Sequence, residues 1–172
     1  HEIGCPWGEG TCTAAAGEGH LEVLQYLHEN GCPWGENTCV SAAAGGHLEV
    51  LKYLHENGCP WWMFNKSTCS CAAEEGHLEV LKYLHENGCP WDEGTCKAAA
   101  KGGHLEVLKY AHKNGCPWNI GIRKNIRYHN LEVYEYEDEP HLEHVAGEGH
   151  LEVLKYAHEN GCRWDKGKIY EA

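Results

Sequence analysis

Cysteine and histidine are the most chemically versatile side chains of this chain, because both bind metals and two thiols can join in a disulfide. The 172 residues include 11 cysteines and 14 histidines. His85 and Cys89 lie four residues apart, and Cys96 follows seven residues later. These three are the candidate zinc ligands. A closed structural zinc site takes four ligands, so we expect no metal or cofactor, and a zinc-binding repeat is the least favoured function.

The spacing of the cysteines also bears on disulfides. Pairs lie seven residues apart, or ten across an insertion: Cys5/Cys12, Cys32/Cys39, Cys89/Cys96 and Cys59/Cys69. A disulfide from each turn to the next helix is one alternative. Because Cys116 and Cys162 have no such partner and the total is odd, we predict reduced, buried thiols that act as small apolar groups. Reduced thiols would favour an intracellular location, which the sequence leaves unknown.

The remaining composition argues against catalysis and against two classes of partner. Serines and aspartates number three each, and the histidines and glutamates recur at equivalent positions of a repeat. A catalytic site needs different groups that converge, so we expect no enzyme. The formal net charge of −12 disfavours nucleic acid and anionic membrane surfaces as partners, because both attract excess lysine and arginine.

One sequence segment recurs along the chain. "GHLEVLKYLHENGCPW" occurs at 46–61 and 76–91, with close copies at 19–34, 103–118 and 149–164. The histidines His20, His47, His77 and His104 are separated by 27, 30 and 27 residues, and the longer step contains the insertion "WWMFNKS". A period of 27 residues fits one helix-turn-helix unit. One such unit cannot bury its apolar stripe alone, so neighbouring units must cover it.

The second helix of each unit is the easier one to place. In 77–88, Leu78, Leu81 and Leu84 form an apolar stripe at helical spacing, and Gly88 is a natural left-handed residue at the helix end. The first helix is built on "TCKAAAKGG", and either Thr95 or Asp92 could be its N-cap. The pattern predicts an all-α solenoid of about six stacked helix-turn-helix units with no β-sheet, in which the alanine helices lie on the inside of the curve.

The order of residues in this unit resembles the ankyrin repeat family. In "TCKAAAKGGHLEVLKYAHKNGC", Thr95 matches the threonine that opens the family's unit, and Ala98 and Ala99 match its alanine pair. Gly103-His104 and Gly115-Cys116 match its "GH" and "GA". The family period is about 33 residues, so this unit is similar to a short variant that lacks the β-hairpin finger, as in repeat proteins of protists and giant viruses. The resemblance implies protein–protein recognition on the concave face.

We expect residues 1–172 to form a single solenoid, as a segment of a longer chain or assembly. Regular repeats cover 5–118 and 149–172, and degenerate repeats cover 119–148. Within the degenerate part, "NLEVYEY" (130–136) occupies the place of a second helix and "HLEHVAGEGH" (141–150) that of an alanine helix. This part is either drift in a tolerant array or a specialised contact with a basic patch, Arg123, Lys124 and Arg127.

Two functions remain open. The first is a non-catalytic scaffold that binds a protein partner through the residues that vary between repeats. These candidates are Thr13, Val40, Ser70 and Lys97 at one repeat position, the aromatic and methionine cluster Trp62, Met63 and Phe64, and the basic patch. The alternative is a structural subunit that stacks head to tail into a filament, because a heterologous contact that does not close extends indefinitely.

Overall fold

A computed structural model of the protein describes residues 7–59, 68–117, 126–128, 131–133 and 141–161. Ten helices and two short strands lie in these ranges: α1 (Glu9–Gly17), α2 (Leu21–Glu29), α3 (Glu36–Ala44), α4 (Leu48–Glu56), α5 (Thr68–Glu74), α6 (Leu78–Glu86), α7 (Glu93–Lys101), α8 (Leu105–Lys113), β1 (Ile126–Tyr128), β2 (Leu131–Val133), α9 (His141–Gly147) and α10 (Leu151–Glu159). Successive helices pair into five units, α1–α2 to α9–α10, numbered here 1 to 5.

The second helix of each unit forms as its periodicity predicts. In α6, Leu81 and Leu84 are fully buried and Val80 nearly so. The helix ends at Asn87, whose side-chain amide donates to the Tyr83 carbonyl oxygen at 2.8 Å. Gly88 then turns the chain with a φ of +78°, a left-handed conformation that glycine adopts without steric cost. This cap stops the second helix and directs the chain back toward the start of the unit.

The N-cap of the first helix in unit 4 is Asp92. Its carboxylate accepts a hydrogen bond from the Gly94 amide at 2.9 Å and so satisfies one of the donors that every helix start leaves open. Thr95, the alternative, lies inside α7 and is fully buried. The sequence alone could not separate the two because both residue types are good caps.

Units stack through their first helices. Successive first helices contact one another closely, whereas successive second helices touch much less, the arrangement expected of a curved stack with the alanine helices inside. The approach is so close that a β-carbon at Gly45 would collide with the Gly17 carbonyl oxygen of the preceding unit. The histidine that opens the second helix completes this contact, because His47 Nε2 donates to Gly17 O at 3.0 Å and His77 Nε2 to Ala44 O at 2.9 Å.

The core is one continuous apolar cluster that runs through all five units. The equivalent leucines are each 0% exposed in units 1 to 4: Leu24, Leu51, Leu81 and Leu108. The all-α solenoid is therefore confirmed. In the ranges that the structure describes, no helix is both long and apolar enough to cross a membrane.

The irregular segment differs from expectation. β1 and β2 pair antiparallel, with Ile126 opposite Val133, so a short hairpin lies where the sequence predicts a second helix and no β-sheet. α9 forms where an alanine helix is expected, but it packs directly on α7, and α10 packs on α8. Unit 5 thus follows unit 4 in the stack, and the hairpin belongs to an insertion between two neighbouring units. The side chains of "NLEV" predict a helix when the segment is considered alone. In strands of only three residues, pairing with the neighbouring strand outweighs such a local preference.

Candidate functional site

The residues that vary between units form a row on the first helices. We call Thr13, Val40, Ser70 and Lys97 the first-helix row, one residue each on α1, α3, α5 and α7. Because these helices stack side by side, the structure brings the four positions together along one face of the solenoid. Thr13, Val40 and Lys97 are partly exposed, whereas Ser70 is only 8% exposed.

Two members of the row also bind the next unit. Thr13 Oγ1 lies 3.1 Å from Thr38 Oγ1, and Ser70 Oγ lies 3.4 Å from Thr95 Oγ1. Thr38 and Thr95 are 0% exposed, so these bonds satisfy hydroxyl groups that burial would otherwise penalise. Thr13 and Ser70 therefore have a structural role between units that sequence reasoning missed. The signal was the threonine of "T-C", which recurs 25 residues after each of them.

The surface beside the row changes along the solenoid. At its start the residues one turn further along α1 and α3 are Gly17 and Ala44, which are small and uncharged. At its other end the charged residues are paired: Lys97 Nζ lies 3.7 Å from Glu93, and Lys101 Nζ lies 2.8 Å from Glu74 of the preceding unit. One turn further along the first helices, the surface thus passes from small, uncharged residues to Glu74 and Lys101, which gives it direction along the stack.

The outer face of the second helices is uniform by contrast. Glutamate and lysine three residues apart form the same ion pair in four units: Glu49–Lys52, Glu79–Lys82, Glu106–Lys109 and Glu152–Lys155, at 2.7 to 2.9 Å. We call these pairs the outer ridge. The hydrogen bond that Lys82 donates to Glu79 raises the pKa of the Lys82 ammonium, and the bond that Lys109 donates to Glu106 lowers the pKa of the Glu106 carboxyl. A surface that repeats identical charges offers no feature by which a partner could select one unit.

A second repeated contact joins neighbouring second helices. The histidine near the end of one helix bonds the tyrosine of the next unit: His28 Nδ1 to Tyr53 Oη at 3.0 Å, His55 to Tyr83 at 2.8 Å, and His112 to Tyr156 at 2.9 Å. We call this the His–Tyr seam. Trp34 stacks on His28 with ring centroids 3.7 Å apart and meets Tyr53 edge-on. Burial raises the pKa of Tyr53, so its phenol stays protonated around neutral pH.

The cysteines that contact each other are not the ones that lie closest in the sequence. The nine described cysteines are all buried, and no disulfide joins them in the structure. Cys12 Sγ, however, donates to Cys32 Sγ of the same unit at 3.0 Å, and Cys96 pairs with Cys116 rather than with Cys89. The pairing joins a first helix to the turn that ends the following second helix. The alternative of a disulfide between cysteines seven residues apart is therefore wrong, and Cys116 does have a partner.

The candidate zinc ligands are not brought together. His85 stacks on Trp91 with ring centroids 3.6 Å apart, and Cys89 accepts a hydrogen bond from Cys69 that lowers the pKa of its thiol. Among the residues that the structure describes, no group of three or more histidine, cysteine or acidic side chains is placed to hold a metal. His85, Cys89 and Cys96 do not form a metal site, because the packing of α7 against α8 places Cys96 beside Cys116.

Several predicted contact residues fall outside the described residues. These are Trp62, Met63 and Phe64 of the insertion, and Arg123 and Lys124 of the basic patch; Arg127 lies in β1, where only the backbone is described. Their part in partner binding stays a prediction.

Comparison with known proteins agrees with the repeat architecture. Residues 11–95, which cover units 2 and 3 and all of unit 1 from Thr11 onward, match the family described as ankyrin repeats (3 copies). A search of curated proteins found no match. Ankyrin repeats are in general protein–protein interaction modules and are generally not enzymes. Residues 11–95 are therefore ankyrin repeats, and the same stacked helical pairs continue beyond them through units 4 and 5.

Proposed function

We propose that this chain is a non-catalytic scaffold that binds a protein partner through the first-helix row. The observation that carries the proposal is the contrast between two faces. The outer ridge repeats one ion pair in four units, whereas the row differs in every unit from threonine to valine, serine and lysine. Specific recognition needs a surface that differs from position to position, so the row is the better candidate.

The geometry of the row suits an extended partner. Its members lie on helices that pack against one another, so an occupant would contact several units at once at helix-packing intervals of about 10 Å. Val40 and the partly exposed stem of Lys97 offer apolar contact, and the Lys97 ammonium and Glu93 offer charge. Ser70 affects the shape of the row but offers a partner little contact area, because it is buried against Thr95.

A matched pair of variants tests this assignment. Lys97→Glu changes the row, and Lys82→Glu makes the same charge change on the outer ridge one unit earlier. Both lysines pair with a glutamate on their own helix, at 3.7 and 2.7 Å. Proteins captured by the immobilised native chain from its source would be identified and their affinity measured by calorimetry. We expect Lys97→Glu to weaken binding at least about tenfold, equal to about 1.4 kcal/mol, and Lys82→Glu to leave it unchanged.

The reverse pattern would assign recognition to the ridge and overturn the proposal. Equal loss in both variants would show that the partner responds only to net charge. Circular dichroism of each variant would establish that it retains the helical fold before its binding is compared.

A second candidate, head-to-tail stacking into a filament, is favoured by the faces of the first and last described units. The valine that is 2% exposed in units 2, 3 and 4 is 50% exposed as Val23 in unit 1, and Tyr26 beside it is 58% exposed. At the other end Leu151 is 58% exposed. These are the surfaces through which units pack on each other inside the solenoid, so one copy could extend another.

Sedimentation velocity over a range of concentrations tests the filament. We expect Val23→Arg to remove any concentration-dependent growth, because it places a charge in the stacking face. Gln25→Arg, on the same helix at the position of the ridge lysines, should leave growth intact. A native chain that sediments as a monomer at every concentration would exclude the filament and leave the scaffold.

A further inference from the structure

The two cysteines of a unit meet across its helical pair. Cys12 Sγ lies 3.0 Å from Cys32 Sγ, and the side chains are 0% and 4% exposed. A disulfide bond is about 2.0 Å long, so the two sulfurs are about 1 Å from bonding distance.

The same contact recurs at one fixed separation. Twenty residues separate Cys12 from Cys32, and a thiol–thiol hydrogen bond also joins each cysteine pair of units 2, 3 and 4: Cys39/Cys59, Cys69/Cys89 and Cys96/Cys116. These pairs account for eight of the eleven cysteines. The other three are Cys5, Cys71 and Cys162; Trp91 lies twenty residues after Cys71, and Leu142 lies twenty residues before Cys162.

At the pairs of units 2 and 4, a third group is a backbone carbonyl and not a metal ligand. The cysteine after the turn donates to the residue that caps the first helix of its own unit, from Cys59 to Gly35 O at 3.3 Å and from Cys116 to Asp92 O at 3.1 Å. Over the part of the chain that the structure describes, no third histidine, cysteine or carboxylate completes a metal site. The geometry therefore favours chemistry between two thiols over zinc binding.

We propose that units 1 to 4 each carry a reversible dithiol–disulfide site that reacts with a small-molecule disulfide such as oxidised glutathione. The thiol after the turn loses its proton to solvent and attacks one sulfur of the small molecule. The small molecule's S–S bond breaks, one small thiol leaves, and a mixed disulfide forms. The first-helix thiol then attacks the turn sulfur, its proton passes to the departing small thiolate, and the second small thiol leaves. Two protein thiols are oxidised by two electrons, and one small disulfide is reduced to two thiols.

The turn cysteine is the better first nucleophile in each unit. It is the more exposed member of every pair, at 4% for Cys89 and 3% for Cys116 against 0% for Cys69 and Cys96. The hydrogen bonds that the first-helix thiols donate also lower the pKa of Cys89 and of Cys116. Because the turn cysteine is almost fully buried, it reacts only when the turn opens locally, so oxidation should be slow. A bridge should then form only between two cysteines that already contact each other in the folded unit.

Each bridge would close a span within one unit and leave the contacts between units unchanged. Oxidation should therefore retain the stacked solenoid and the first-helix row while it restricts the unfolding of every bridged unit. The four sites would make the resistance of the rod to unfolding depend on the surrounding thiol–disulfide balance.

Peptide mapping tests the proposal on the complete native chain. The protein would be incubated with excess oxidised glutathione, alkylated with iodoacetamide and digested without reduction. We expect intramolecular bridges between cysteines twenty residues apart, alkylation at Cys5, Cys71 and Cys162, and full reversal by dithiothreitol. Bridges over seven residues, bridges between chains, stable glutathione adducts at the turn cysteines, or no bridge where the denatured chain forms them would each overturn it.

Two serine variants on α5 provide a matched control. Cys69→Ser should remove one bridge and leave Cys89 alkylated, while the other three bridges form. Cys71→Ser, two residues along the same helix and also buried, should retain all four bridges. An unchanged bridge count in Cys69→Ser, or a lost bridge in Cys71→Ser, would contradict the pairing. If either variant fails to fold, the map of the native chain still decides the proposal.

Discussion

The hydrogen bond between His55 and Tyr83 offers a direct measure of how strongly one unit holds the next. His55 Nδ1 lies 2.8 Å from Tyr83 Oη across the boundary between units 2 and 3. Tyr83→Phe removes the hydroxyl and keeps the ring, whose edge-on contact with the imidazole has a centroid separation of 5.9 Å. Because burial raises the pKa of Tyr83, the phenol is protonated throughout the neutral range and the bond is present there.

The expected cost follows from the surroundings of the bond. A neutral intramolecular hydrogen bond contributes about 1 kcal/mol to stability, within a range of about 0.5 to 1.5. His55 and Tyr83 are both partly exposed, so water can replace the hydroxyl and the cost should not reach the penalty of a buried, unsatisfied group. With a urea dependence of about 2 kcal/mol per molar, a loss of about 1 kcal/mol lowers the unfolding midpoint by about 0.5 M.

Equilibrium urea unfolding followed by circular dichroism measures this shift, and Tyr26→Phe is its control. Tyr26 is the equivalent residue of unit 1, where it is 58% exposed and no preceding described unit packs on it. We expect its midpoint to stay within error of the native chain. A double-mutant cycle with His55→Ala should show coupling of about 0.5 to 1 kcal/mol. Equal effects of Tyr83→Phe and Tyr26→Phe, or no coupling, would refute the His–Tyr seam as a stabilising contact.

Three further predictions concern the same stack. Gly46→Ala and Gly58→Ala both strain a residue with positive φ, but only at Gly46 would the new β-carbon lie 2.5 Å from His77 Nδ1. Thermal unfolding should therefore show that Gly46→Ala loses about 1 to 3 kcal/mol more of the free energy of unfolding than Gly58→Ala. Burial raises the pKa of Cys12 from 9.0 to about 12, so the stabilising contribution of its thiol is complete below pH 9 and is lost as the pH rises toward 12. The urea midpoint of the native chain should therefore fall between pH 9 and 12, and the midpoint of Cys12→Ala should fall less. Lys101→Ala should cost no more than about 0.5 kcal/mol in urea unfolding, because its ion pair is largely exposed, and a larger loss would contradict this assignment.

The second helices could be predicted because their information is local. The interval 77–88 was expected from leucine spacing and the "NG" end, and α6 runs Leu78–Glu86 with the turn at Gly88. The apolar period, the cap and the left-handed glycine all lie within one segment and indicate the same structure. The stack itself follows, since one helical pair cannot cover its own stripe.

The cysteine pairs and the burial of the row could not be predicted in this way, because they depend on contacts across helices. Cys12 and Cys32 meet only after the unit folds back on itself, and a reading of adjacent spacing joined Cys32 to Cys39 instead. Ser70 is buried because Thr95 of the next unit bonds it, a contact 25 residues away in sequence. In the irregular segment, "NLEV" fits a helix or a strand equally well, and pairing with β1 decides the outcome.

The positions that hold the solenoid together and the positions that vary are separate, and this separation constrains how a partner could be recognised. The core leucines, the histidine caps, the His–Tyr seam and the cysteine pairs use the same residue types in successive units, so none of them distinguishes one unit from another. On the first helices, the row and the position one turn further along both change residue type with each step, so each unit contributes only a few side chains that vary. So few side chains supply too little contact for specific binding, since stable interfaces bury about 800 Å² on each partner. A partner that reads the row must therefore span several units, and its affinity depends on the regular stacking that the repeated residues maintain.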